Sequence, residues 1–106
     1  MVETVAPTLT ASQQSLLERL AAKYIWWKSP QVSIGRPERV IAQVMDIGDY
    51  EDVLELVAVM GEPALKQALK TAGPGQLSPR SWNYWHLKLG LAEQGSAPPV
   101  PIRRFK

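Results

Sequence analysis

Few residues in this chain are of the types that covalent chemistry uses. There is one histidine, His86, and no cysteine. A Ser–His–acid arrangement would have to run through His86. Thiol nucleophiles, disulfides and thiolate-held zinc or iron–sulfur centres are excluded outright. A His-Glu-x-x-His zinc motif needs two histidines, and the isolated glycines make no phosphate-cradling loop. Asp49, Glu51 and Asp52 offer hard oxygen ligands for a divalent cation, but their spacing fits a helix cap and acidic first turn better. His86 falls beside the Trp82, Trp85 and Leu89 face of a helix, where a half-buried packing role is expected. The residues therefore read as a non-enzymatic chain, with no cofactor, metal or small-molecule substrate.

Side chains suited to recognition are more plentiful. The chain holds four tryptophans and three tyrosines in 106 residues. If the first helix reaches position 27, the helical rotation puts Trp27 in its apolar stripe and Trp26 nearly opposite, beside Arg19 and Lys23. Trp26 then packs under the tail, frays off the helix, or stays open for a partner, as interface tryptophans beside arginine do. On the last helix, Trp82, Trp85 and Leu89 line one side while Tyr84, Leu87 and Leu91 line another. Such a helix is deeply inserted or keeps one side for another protein, and insertion is the commoner case. Arg80 stands at its start. Arg103 and Arg104 sit in a segment with three prolines in four residues, Pro98 to Pro101. Trp26, Arg80, Tyr84, Leu87, Arg103 and Arg104 are thus the candidate partner-binding residues.

Prolines and glycines show which elements must position these groups. Proline suits the first turn of a helix, and glycine the residue just past its end. Pro37, Pro63 and Pro79 precede helical patterns, while Gly48, Gly61, Gly73 and Gly90 follow them. The first helix is predicted from Thr10, with Gln13 completing a capping box, to about Trp27, where Ser29-Pro30 ends it. Leu16, Leu17, Leu20, Ala21, Tyr24 and Trp27 make its stripe. The second, from Pro37 to about Ile47, buries Val40, Ile41, Val44 and Met45, with Ile47 at the margin of that stripe; 40/41 and 44/45 pair at helical spacing instead of alternating as a strand would. Asp49 caps a third helix whose VLELVAVM run is apolar almost all round, which marks it as the central, most buried element. A fourth spans 63–72, turning Leu65, Ala68, Leu69 and Ala72 inward, and Ser78 caps a fifth over 79–89. The expected fold is all-α: a compact bundle of about five short helices with an extended, Pro-rich basic C-terminal tail. Residues 1–10 form a flexible leader, 11–92 the helical domain and 93–106 the tail.

Charge is segregated along this frame. The net charge is +2, yet the last four residues hold Arg103, Arg104 and Lys106. No Lys or Arg occurs from Val40 to Leu65, where Asp46, Asp49, Glu51, Asp52, Glu55 and Glu62 gather. A solvated acidic face is the expected outcome. DNA is a possible partner only through the helix starting at Pro79, which presents Arg80, Ser81 and Asn83. The joint at 48–49 is short enough for a helix-turn-helix, but its second helix begins with acids, where phosphates would have to approach. The tail matches the proline/arginine spacing read by SH3-type grooves over a short stretch; docking across an acidic surface is the more general form of that reading. No apolar run has the length of a membrane span, and the N-terminus lacks signal-peptide character, so a cytoplasmic, membrane-free protein is expected.

The stretch from Arg39 to Leu91 resembles a known group. Gly48-Asp49-Tyr50-Glu51-Asp52, then Gly61, then Leu77-Ser78-Pro79-Arg80-Ser81-Trp82 followed by Trp85, is similar to a family of small all-helical prokaryotic proteins. Those proteins are encoded beside nucleotidyltransferase-like toxins of the abortive-infection type. The matching residues are largely caps and core aromatics, which specify a fold better than an activity. The resemblance implies a non-catalytic antitoxin that binds and occludes a cognate nucleotidyltransferase-like toxin. A DNA-binding autoregulator using the 79–89 helix and the basic tail is the alternative.

Overall fold

The computed structural model describes residues 9–91 together with Pro98 and Pro99. The remaining leader and tail positions, Arg103 and Arg104 among them, lie outside the described residues. Six helices follow one another: α1 (Ala11–Tyr24), α2 (Pro30–Ser33), α3 (Pro37–Ile47), α4 (Tyr50–Met60), α5 (Glu62–Thr71) and α6 (Pro79–Lys88). Among the described residues there is no strand. The chain is all-helical, with α2 a single turn in the stretch read as a loop. No helix among these residues is long and apolar enough to cross a membrane.

Most helix starts follow local chemistry. The Thr10 side chain accepts from the Gln13 N–H, while the Gln13 side chain accepts from the Thr10 N–H, so the capping box is complete. Ser29, Asp49 and Ser78 cap α2, α4 and α6 by the same kind of side-chain acceptance. The end of α1 departs from the periodicity. It stops at Tyr24, and Ser29-Pro30 serves as cap and first turn of α2 instead of terminating α1. With the helix unwound at Ile25, that residue takes the buried position, and Trp27 leaves the predicted stripe for the surface. No glycine or proline stands at 25–28, so local sequence carries no breaker there.

The centre of the molecule is α3, not α4. Val40, Ile41, Ala42, Val44 and Met45 are all buried, and α3 touches every other helix. Leu17, Leu20, Leu56, Leu65 and Leu69 complete the core around it. By contrast α4 fully encloses only Leu56 among its apolar side chains, and Leu54 is 50% exposed. One helix can occupy the axis of a bundle this small. Once α3 is there, α4 packs on the outside and uses one side, so its all-round apolar sequence does not translate into all-round burial.

The C-terminal end of α3 is closed by α6. The Trp85 indole N–H donates to the Met45 carbonyl at 2.9 Å, and the Ser81 hydroxyl to the Asp46 carbonyl at 3.3 Å. These are carbonyls that a helix end leaves without an intrahelical partner. Gly48 follows with φ −65°, so no left-handed conformation is required of it. Its role is close approach: a Cβ there would lie 2.5 Å from the Val44 carbonyl oxygen and 2.7 Å from Val44 Cγ1. Gly48→Ala is expected to cost about 1–3 kcal/mol through overpacking, read as a lower urea midpoint at an unchanged m-value.

Candidate functional site

The best-defined polar cluster joins α1 to α4. Lys23, at the end of α1, reaches Asp49 at 3.0 Å and Asp52 at 2.7 Å. The Tyr24 hydroxyl donates to Asp52 Oδ2 at 2.6 Å and accepts the Asp49 N–H at 3.0 Å. Asp49 in turn accepts the Asp52 N–H, capping α4. The Lys23 ammonium first, then the Tyr24 hydroxyl, hold the Asp52 carboxyl below its ordinary range. Burial, reinforced by that carboxylate, pushes the Tyr24 hydroxyl upward, and the two acids push the Lys23 ammonium upward. Arg19 adds a surface pair with Glu55 at 2.7 Å. Part of the acidic block is thus engaged by basic residues of α1. Asp52, read as a first-turn dipole residue, is also a buried ion-pair partner four residues before Leu56, on the same stripe.

Of the candidate recognition residues, Trp26 and Tyr84 are open, at 76% and 53% exposure, and Leu87 is open at 41%. Arg80 is exposed at the start of α6. The alternatives for Trp26 resolve to a side chain beyond the helix end, edge-to-face with Trp27 at 5.7 Å. Trp82, Trp85 and Leu89 are buried while Tyr84, Leu87 and Leu91 are not, so α6 is half inserted, short of the deep insertion expected. The Trp82 indole N–H donates to the Pro98 carbonyl at 2.6 Å, which sets that point of the C-terminal segment against the buried side of α6 and leaves Tyr84 uncovered by it. Ile47, placed by the helical pattern at the margin of the buried stripe, is instead exposed, as is Tyr50, which adjoins Asp49, the partner of the Tyr24 hydroxyl. Their exposure follows from tertiary packing and has no local sequence signal.

His86 is buried at 7% exposure, more deeply than the half-buried role foreseen. Its Nδ1 is 2.8 Å from the Trp82 carbonyl and its ring packs on the Trp82 indole at 4.4 Å. Among the described residues no three His, Asp or Glu side chains converge as a metal site would need.

A cavity of about 450 Å³ opens between the 25–36 segment, α3 and the turn at Gly75-Gln76. Ile25 and Ser33 are its buried lining; Trp27, Lys28, Arg36 and Arg39, with Val32 and Gly75, are its exposed lining. No carboxylate lines it. The residues come from three separate stretches, so their convergence has no signature in the linear sequence. No family model, curated protein or solved structure is similar enough to this chain to count as a match.

Proposed function

We propose that this chain is a protein-binding module that acts as an antitoxin, occluding a nucleotidyltransferase-like toxin. The observation that carries the binding reading is the division of α6: Trp82 and Trp85 go into the core, while Tyr84 and Leu87, three residues apart, stay exposed, with Leu91 exposed just past the helix end. Exposed aromatic and aliphatic groups on a rigid helix are typical interface anchors, and Trp26 supplies a second one. The toxin as partner rests on the resemblance of the 39–91 stretch. Arg103 and Arg104 would complement the acidic mouth of a metal-dependent nucleotidyltransferase and speed encounter.

The test uses a nucleotidyltransferase-like protein encoded beside this gene. Tyr84→Ala/Leu87→Ala is expected to weaken association by roughly 30-fold, about 2 kcal/mol, with little change in unfolding midpoint. Removing residues 96–106 is expected to weaken neutralisation in the same assay. Full neutralisation by both variants, or the lack of any such neighbouring gene, rejects the toxin assignment.

DNA binding remains the second proposal, and one feature works against it. The Asp46 carboxylate accepts the Ser78 N–H at 3.0 Å, placing an acid at the end of α6 that phosphates would have to approach. Steeply salt-dependent duplex binding that is lost in Arg80→Ala would reverse this preference.

A further inference from the structure

The cavity beside α3 is chemically unlike the rest of the surface. Three cations, Lys28, Arg36 and Arg39, line it without an acid, and none of them has an ion-pair partner among the described residues. Asp49, Asp52 and Glu55 pair with Lys23 and Arg19, and no other acid among the described residues lines the cavity or lies within ion-pair distance of these three cations. Like charges converging on one concavity repel one another, and a bound anion relieves this.

A second observation is independent of charge. Ser33 is 7% exposed, lines the same cavity, and its Oγ is the single buried side-chain oxygen or nitrogen among the described residues with no hydrogen-bond partner. Buried hydroxyls are nearly always satisfied; this one is enclosed in the cavity wall, and a turn about its single χ1 bond would bring it to an anion bound in the cavity. The aromatic content is the third observation. Trp27 lines the cavity with 57% of its surface free, and Gln43 and Gln76 add carboxamides. A lone phosphate would leave most of about 450 Å³ unfilled, whereas small-molecule sites occupy roughly 300–1,000 Å³.

We propose that this cavity binds a nucleoside monophosphate, its phosphate held by Arg36, Arg39, Lys28 and the Ser33 hydroxyl, and its base lying on Trp27. Guanidinium groups grip phosphate oxygens through paired N–H donors, and an indole stacks on any base. Gln76 and Gln43 line the same space, the Gln43 Nε2 donating to the Tyr24 carbonyl at 3.3 Å. This site is independent of the protein-binding reading, and it adds a small-molecule ligand where the sequence led to no cofactor or small-molecule substrate.

The experiment is calorimetric titration of the full chain with AMP, CMP, GMP and UMP, and separately with adenosine and inorganic phosphate. At least one monophosphate is expected to bind one to one, at least tenfold tighter than either phosphate or adenosine. Arg36→Ala/Arg39→Ala is expected to weaken it at least tenfold, as are Ser33→Ala, through a lost charge-assisted bond, and Trp27→Ala, through lost stacking. Arg36 and Arg39 are exposed, so circular dichroism of their double variant should match the parent. Failure of all four nucleotides to bind by about 5 mM overturns the proposal. So does affinity unchanged in the double-arginine variant, or phosphate binding as tightly as the nucleotides, which would make this a plain anion site.

Discussion

Leu56→Ala is expected to lower stability by about 3 kcal/mol, while Leu54→Ala, two residues away on the same helix, is expected to cost under about 0.5 kcal/mol. Both are leucines in the VLELVAVM run, and nothing local separates them. Leu56 has no solvent exposure and packs into the core around α3; Leu54 is half exposed. Truncating the first removes buried methyl groups and leaves a cavity that the surrounding packed helices close only partly. Truncating the second removes surface that water already touches. Urea unfolding of the two variants measures the contrast. For a domain of this size the Leu56 variant should also melt roughly 12–24 °C lower. Equal losses at the two sites would mean that α4 is enclosed on both sides in solution, by a partner or a second copy.

Removing the Asp52 carboxylate is the next largest expected effect. In Asp52→Ala the Tyr24 hydroxyl loses its acceptor, and Lys23 keeps only Asp49. The expected cost is about 2–3 kcal/mol, dominated by the partly buried hydroxyl left without its acceptor and by lost packing. Little of it comes from Lys23, which is exposed and screened by solvent. Asp52→Asn retains an amide oxygen for Tyr24 and should cost less.

The pH dependence follows from the direction of the shift. Asp52 is held below its ordinary range by Lys23 and Tyr24, so the folded state binds its proton more weakly than the unfolded chain does. Its contribution is complete above the unfolded value of about 3.9, and it is lost as pH falls through the lower folded value. Chemical denaturation across the acid range should therefore show the parent losing stability below about pH 4 more steeply than Asp52→Asn. Lys23 shifts the other way: its contribution is present below about pH 10.4 and is lost only as pH rises beyond that value. At neutral pH both halves of the pair are in place. An identical acid profile for parent and Asn variant would remove Asp52 from the linkage.

The comparison of these two residues also shows how far local pattern reaches. Leu56 and Asp52 are four apart and share a stripe, so a helical wheel puts them together. That the stripe faces Lys23 and Tyr24, nearly thirty residues earlier, is invisible in the run itself. Gly48 makes the same point differently. It marks the helix end as expected, yet by close approach to Val44 and not by a left-handed turn. Gly61 and Gly90 do adopt positive φ, a backbone conformation that glycine takes without strain.

The linear sequence by itself determined the helical class, the starts of α1, α3, α4 and α6 and the buried stripe of α3. Caps and stripes join residues three or four apart, and those contacts exist before any tertiary structure forms. Only the tertiary structure decided that α1 stops at Tyr24, that α3 and not α4 is the axis, that Asp52 is an ion-pair partner and that Trp27 borders a basic cavity. Each depends on contacts between distant segments, and on which helix takes the centre of a core too small for two.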